Sequence, residues 1–266
     1  MNIDGIIIAV ATVGGIGLLI GIFLSVFSNV FRVETDEREE KVLEALPGNN
    51  CGGCGYPGCS GLAAAIAKNE APVNGCPVGG KKVADEIASI MGVSAGDSEK
   101  MVAFVKCIGT CDKTKNDYEY YGVKDCRMAN LSPGKGAKSC SFGCLGYGTC
   151  VSACKFDAIH IINGIAVVDR EKCTACGRCV SVCPKGVIEL IPYDAKYAVA
   201  CSSKDKGPDV MKKCENGCIG CSLCQKNCPK EAVSVEGFLA HIDQDLCVGC
   251  SLCAQKCPKK VITKLS

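Results

Sequence analysis

From Gly5 to Phe31 the chain runs 27 positions without a charged residue, dense in Ile, Val, Leu, Phe and Gly. About 20 apolar residues suffice for a helix to cross the hydrocarbon core of a bilayer, so this pattern predicts a single transmembrane helix. Gly14, Gly17 and Gly21 would give it a small-residue face against which another membrane helix can pack. A cleaved signal peptide carries a basic start and a shorter apolar stretch. This segment opens Met-Asn-Ile-Asp-Gly, so an uncleaved anchor over 1–32 is the expectation. Arg32, Arg38 and Lys41 follow the span and nothing basic precedes it, which sets the rest of the chain on the cytoplasmic side.

Beyond the anchor the apolar stretches become short. An Ala-rich helical stretch at 61–68 follows a Gly- and Cys-rich loop, and from residue 101 the runs are strand-length: Val102-Ala-Phe-Val-Lys and Tyr197-Ala-Val-Ala. Two further pairs of short apolar runs break at Asn163-Gly164 and at Glu236-Gly237; Asn-Gly is a strong hairpin signal. These pairs are copies of one another, since Cys154 to Asp169 ahead of Cys173 matches Cys228 to Asp243 ahead of Cys247. Extending the match backwards pairs Cys140 with Cys214, Cys144 with Cys218 and Cys150 with Cys224, and sets Tyr147 opposite Cys221.

Composition says what must fill such small elements. The 266 residues include 25 cysteines, no Trp and only 5% aromatics. A cysteine share of about 9% points to disulfides or to metal. Only two histidines are present, His160 and His241, which argues against His-rich zinc, copper or haem sites; both fall within strands and read as packing or surface residues. A formal charge of +2 shows no basic surplus for nucleic acid.

The cysteines fall into blocks. Cys51-Gly-Gly-Cys54-Gly-Tyr-Pro-Gly-Cys59, with Cys76 after the helix, puts three thiols on a loop flexible enough to converge on one object. Three runs follow: Cys173, Cys176, Cys179 and Cys183-Pro; Cys218, Cys221, Cys224 and Cys228-Pro; Cys247, Cys250, Cys253 and Cys257-Pro. This is the bacterial ferredoxin run, whose first three cysteines hold one 4Fe–4S cluster and whose fourth holds the neighbouring one. Zinc sites instead pair two short elbows across a longer gap.

The crossed assignment gives Cys154 to Cys173, Cys176 and Cys179. It gives Cys257 to Cys218, Cys221 and Cys224, and Cys228 to Cys247, Cys250 and Cys253. In the remaining set Tyr147 replaces a ligand, and Cys140 is expected to make good the loss beside Cys144, Cys150 and Cys183. Five clusters are then expected. A sixth is left open by Cys107, Cys111, Cys126, Cys201 and Cys214, of which Cys107 and Cys201 both end an apolar strand. Each cluster adds about −2 with its thiolates, which turns the formal +2 into roughly −8. Such clusters among free thiols belong to a reducing compartment, in agreement with the basic flank.

The expected architecture is α+β: an N-terminal transmembrane helix over 1–32, a small α-rich iron–sulfur module over 33–100, and tandem two-cluster ferredoxin-like repeats over 101–198 and 199–266. No phosphate-binding loop accompanies them, so the chain reads as an electron carrier without a substrate site of its own. Two other readings stand beside it: a polyferredoxin component of a different redox enzyme, and a membrane-tethered zinc or structural module.

A membrane helix, the Cys51–Cys76 block and tandem ferredoxin repeats in this order closely resemble the B subunit of the Rnf ion-translocating ferredoxin:NAD+ oxidoreductase, in its long clostridial-type form, over essentially the whole chain. Tyr147 and Lys155, the latter where Pro usually follows the fourth cysteine, depart from the family pattern. The resemblance implies a subunit of a complex in the cytoplasmic membrane that passes electrons from reduced ferredoxin to NAD+ while Na+ or H+ is exported. It also implies soluble ferredoxin as donor, with flavins and nicotinamide held by other subunits.

Overall fold

The computed structural model describes residues 3–30, 36–96 and 99–265. Phe31, Arg32 and the expected boundary at 32/33 lie outside them. Helix α1 (Ile3–Val30) is 28 residues long. Its described side chains are Ile7 and those of 11–27, all exposed, Val13, Leu19 and Phe23 among them. Among the described residues no helix is long and apolar enough to cross a membrane, so the span expected at 5–31 is not established there.

Three helices follow: α2 (Glu37–Ala45), α3 (Gly58–Ala67) and α4 (Gly80–Met91). The Asp36 carboxylate accepts the Arg38 N–H at 2.9 Å, and Glu37, Glu39 and Glu40 fill the first turn of α2, where the helix dipole favours negative charge. α2 packs on both α3 and α4. Their contact buries Val42, Leu46, Leu62, Ile66 and Ile87, while the alanines of α3 keep the helices close. α3 starts three residues earlier than the sequence pattern suggests, which brings Cys59 into its first turn.

The remainder holds β1 (Met101–Val105), α5 (Cys126–Asn130), α6 (Thr149–Ala153), β2 (Ile159–Ile162), β3 (Ile165–Val168), α7 (Arg178–Val182) and β4 (Ile188–Pro192). After these come β5 (Tyr197–Val199), α8 (Gly207–Lys213), α9 (Leu223–Lys226), β6 (Val233–Glu236), β7 (Leu239–Ile242), α10 (Leu252–Gln255) and β8 (Ile262–Lys264). The strands pair two by two, all antiparallel: β1 with β4, β2 with β3, β5 with β8 and β6 with β7. In each half a hairpin is thus bracketed by an outer strand pair, and the short helices pack as α6 on α7 and α9 on α10.

The β2–β3 turn takes Asn163 and Gly164 at φ 46° and 74°, the doubly left-handed geometry that matches strand twist. The second turn lies one residue beyond the expected Glu236-Gly237. Gly237 and Phe238 carry φ of 54° and 66°, while Glu236 pairs with Leu239 as the last rung of β6–β7. Register explains the shift: Val233 opposite Ile242 and Val235 opposite Ala240 keep the apolar residues on one face, and a one-residue slip would turn them outward.

The two β cores have the same character. Ala103, Val105, Ile159, Ile165, Val187 and Ile188 surround Cys144, Cys150 and Cys179 in one. Val199, Val233, Ile242, Val261 and Ile262 surround Cys218, Cys224 and Cys253 in the other. Their buried members are all Ala, Val, Ile or Cys. The cysteines sit at the centre of each core, where an ordinary domain would place large side chains.

Candidate metal centres

The third cysteine of each run lies in a single helical turn: Cys150 in α6, Cys179 in α7, Cys224 in α9 and Cys253 in α10, all four buried. Immediately before each turn stands a left-handed residue: Gly148, Gly177, Ser222 and Ser251, with φ of 80°, 73°, 56° and 67°. That kink bends the loop so that cysteines on both sides of it face one interior.

Three cavities result. Cys154, Cys173, Cys176 and Cys179 line one of about 20 Å³. Cys218, Cys221, Cys224 and Cys257 line a second of about 20 Å³, and Cys228, Cys247, Cys250 and Cys253 a third of about 10 Å³. In each, three cysteines of one run meet the fourth cysteine of another, the crossing found in two-cluster ferredoxins. Burial pushes the Cys179 thiol up to about 11, helped by Cys173, Cys176 and Cys154. Cys224 is likewise pushed up to about 11, by burial and then by Cys218, Cys257 and Cys221. Thiols held in this way keep their protons at neutral pH until a metal displaces them.

Backbone N–H groups are aimed at the sulfurs. Ala103 N–H donates to Cys173 Sγ and Ala166 N–H to Cys144 Sγ, each at 3.4 Å. Hydrogen bonds of this kind stabilise thiolate charge and tune cluster potential. Among the described residues no three Cys, His, Asp or Glu side chains close on a point the size of one metal ion.

The set around Cys150 departs from expectation. Its thiol is pushed up to about 12, first by burial and then by Cys144, Cys126 and Cys183. Cys253, in the same position of its own run, has Cys247, Cys228 and Cys250 around it. Cys126, rather than the expected Cys140, is thus among the cysteines around Cys150, and Cys140 stands beside Cys107 and Cys214. The reason is local. Cys126 opens α5, and its N–H donates at 2.8 Å to the hydroxyl of Thr149, the residue before Cys150. That hydroxyl in turn donates to the Asp125 carboxylate at 2.9 Å, so the cap of α5 also ties it to α6. No spacing motif marks Cys126, which lies outside every run; the Asp125-Cys126 helix start is the one signal the sequence offers.

The N-terminal block curls through Gly52 and Gly55, at φ 71° and 85°. Cys59 N–H donates to Asn50 Oδ1 at 2.8 Å, and Cys54, Cys59 and Cys76 pack against the helical core. Burial pushes the Cys76 thiol up, with Cys51 and Cys54 adding to the effect. The loop rests on the β region: a side chain at Gly53 would collide with the Cys176 carbonyl, and Lys155 Nζ donates to Asn49 O at 3.2 Å. Both histidines are exposed, His160 facing Asp157 at 3.8 Å. Of the basic residues near clusters, Lys185 is held by the Ser141 carbonyl at 2.6 Å, and burial pushes its ammonium down.

Comparison with known proteins agrees with this arrangement. Residues 46–78 match an Fe-S cluster family, 166–189 the 4Fe-4S binding domain, and 217–261 the 4Fe-4S dicluster domain. The chain is 46% identical over 244 residues to the B subunit of the Na(+)-translocating ferredoxin:NAD(+) oxidoreductase complex of Acetobacterium woodii, covering 91% of this chain and 73% of the relative. It is 43% identical over 238 residues to the B subunit of the ion-translocating oxidoreductase complex of Methanosarcina acetivorans, covering 89% and 90%. It is 44% identical over 248 residues to the B subunit of the proton-translocating ferredoxin:NAD(+) oxidoreductase complex of Clostridium ljungdahlii, covering 92% and 86%. Four-thiol cavities in a doubled ferredoxin-like frame, and similarity over nine-tenths of the sequence, give one conclusion: the chain belongs to the B-subunit family of ion-translocating oxidoreductase complexes.

Proposed function

We propose that this chain is the iron–sulfur wire of a membrane complex, taking electrons from reduced ferredoxin and passing them towards NAD+ while the complex moves Na+ or H+. The observation that carries the reading is the set of three cavities lined by four cysteines each, one in the first repeat and two in the second. Five 4Fe–4S clusters are assigned: to Cys51, Cys54, Cys59 and Cys76; to Cys126, Cys144, Cys150 and Cys183; and to the three cavity sets. When bound, the clusters supply one-electron redox chemistry; the chain supplies spacing, N–H groups towards sulfur and exclusion of water.

Direction along the wire follows from exposure. Cys221 and Cys250 of the second repeat are exposed, which suits entry from a soluble ferredoxin. Cys176, the counterpart of Cys250, is buried under the Gly53 loop, which suits onward transfer to the N-terminal module. That module follows α1 in the chain. The described apolar residues of α1, Val13, Ile16, Leu18, Ile20 and Phe23 among them, are exposed around its whole circumference, as on a helix made for an apolar medium. We therefore assign α1 as the anchor, with the cluster modules at 33–100, 101–198 and 199–266 on the cytoplasmic side and the flavin-carrying subunits as acceptors.

Cys59→Ala tests the wire in the assembled complex. Ferredoxin should still reduce the second-repeat clusters, followed by electron paramagnetic resonance, while NAD+ reduction stops. NAD+ reduction at full rate without that cluster would overturn the order.

A further inference from the structure

Two buried side-chain polar atoms have no hydrogen-bond partner among the described residues: Asn130 Oδ1, at the end of α5, and Thr174 Oγ1. A buried hydroxyl left unpaired is costly, and native structures keep few of them. Thr174 stands between Cys173 and Cys176 and lines the cavity of Cys154, Cys173, Cys176 and Cys179. A hydroxyl can turn its O–H towards an acceptor within reach, and this cavity gathers four sulfurs.

Two other groups favour negative charge in the same place. Ala103 N–H donates to Cys173 Sγ at 3.4 Å, and the half-buried, cationic Arg178 lines the cavity. Water is kept away on one side. Ala175 and Cys176 are buried, and the Gly53 backbone lies directly against the Cys176 carbonyl. In such surroundings a hydrogen bond to a charged sulfur is stronger electrostatically than in water.

The second repeat lacks these groups. Matching Cys173 to Cys247 sets Thr174 opposite Val248 and Arg178 opposite Leu252. Val248 lines the cavity of Cys228, Cys247, Cys250 and Cys253, and its side chain has no donor to offer. One frame thus carries a hydroxyl and a guanidinium where the other carries two apolar side chains.

We propose that the Thr174 hydroxyl donates a hydrogen bond to a sulfur of the cluster held by Cys154, Cys173, Cys176 and Cys179, and so raises its reduction potential. This rests on the reading of the chain as a cluster carrier. Reduction adds one negative charge, so a donor to sulfur stabilises the reduced form more than the oxidised one. One electron leaves the second-repeat set, which is oxidised by one, as the first-repeat set is reduced by one; the Thr174 proton stays on its oxygen. Transfer towards the N-terminal module thereby gains driving force from a single side chain, with no equivalent at Val248.

The test is a potentiometric titration of the full chain, loaded with clusters without oxygen and followed by electron paramagnetic resonance, beside its iron content. Thr174→Val keeps the shape and removes the donor. One component of the titration should move to lower potential, its reduced-to-oxidised ratio at a fixed potential falling about three- to tenfold. Thr174→Ser should leave that component where it is in the parent. If Thr174→Val sheds iron, Thr174→Ser and Thr174→Ala decide, since both lack the methyl group and only the first keeps the donor; a lower midpoint in Thr174→Ala supports the proposal. Equal midpoints in those two, iron lost from both, or no shift in Thr174→Val at full iron content would overturn it and leave the cluster reading standing. A parent chain with no iron at all overturns that reading and the proposal together.

Discussion

In the second repeat Cys218, Cys221, Cys224 and Cys228 stand together in one run; in the first, Tyr147 takes the place of Cys221, and Cys126, the thiol we propose in its stead, lies 21 positions upstream. The source is an insertion. Thirty-three positions separate Cys107 from Cys140, whereas 13 separate their counterparts Cys201 and Cys214. The insertion is fastened by the group that displaced the ligand: the Tyr147 ring packs on Tyr120 with centroids 5.4 Å apart, and Thr149 binds α5. A cluster needs four thiolates at its corners, and it does not matter which segment brings each one. The two repeats also differ in what covers them, since Cys176 is buried and Cys250 exposed. One frame has thus been specialised for internal contacts and the other left open.

Removing the borrowed ligand is the strongest way to break this comparison. Cys126→Ser should cost the first repeat the Cys144–Cys150–Cys183 cluster, about four irons, together with part of a core that has only Ala, Val and Ile besides. Iron analysis and limited proteolysis under anaerobic conditions read both effects. Adding Tyr147→Cys to that variant returns the ligand to the position it holds in the second repeat and should restore the iron. If Cys140→Ser empties this cluster while Cys126→Ser spares it, the two repeats share one ligand pattern and the contrast between them falls.

The same contrast explains what is legible in the sequence. Ferredoxin runs, hairpins and the repeat are readable because each rests on local spacing: two residues between successive thiols, two at a turn, one fixed offset between copies. Cys126 and the partners of Cys140 are not readable. They are brought together by long-range folding of a segment with no counterpart in the other repeat, and nothing in the spacing encodes that approach. The second turn sits one residue away from its expected place because Gly237 is the conspicuous turn former, whereas Phe238 also takes a positive φ to preserve the buried face of β6–β7. The likeness of Cys107 and Cys201 is visible at two strand ends; that they face each other across a cavity is not.

The covering of the first repeat is sharpened by Gly53→Ala. The added methyl meets the Cys176 carbonyl, a backbone atom that cannot swing aside. The N-terminal loop must lift, weakening its docking by about 1–3 kcal/mol, the usual cost of overpacking. Hydrogen exchange should quicken at residues 173–179 and stay unchanged at 247–253, where no such cover exists. Equal protection of the two segments in the variant and the parent would mean that the loop contributes nothing to the burial of Cys176.

The smallest expected difference lies in the left-handed residues ahead of the cluster helices, glycines in the first repeat (Gly148, Gly177) and serines in the second (Ser222, Ser251). A side chain in that conformation costs about 1–2 kcal/mol that glycine does not incur, offset in part by the greater freedom glycine loses on folding. At Gly177 the space around an added Cβ is open, with nothing within 4 Å, so Gly177→Ser isolates the backbone contribution. It should destabilise the first repeat by about 1 kcal/mol, and Ser251→Gly should stabilise the second by a similar amount. Reciprocal melting shifts in the cluster-loaded protein, with iron content unchanged, would confirm that the serines are tolerated strain rather than cluster contacts. If Ser251→Gly instead lowered stability or altered the spectrum of its cluster, the serine would be acting on the cluster, and the second repeat would differ from the first in chemistry as well as in cover.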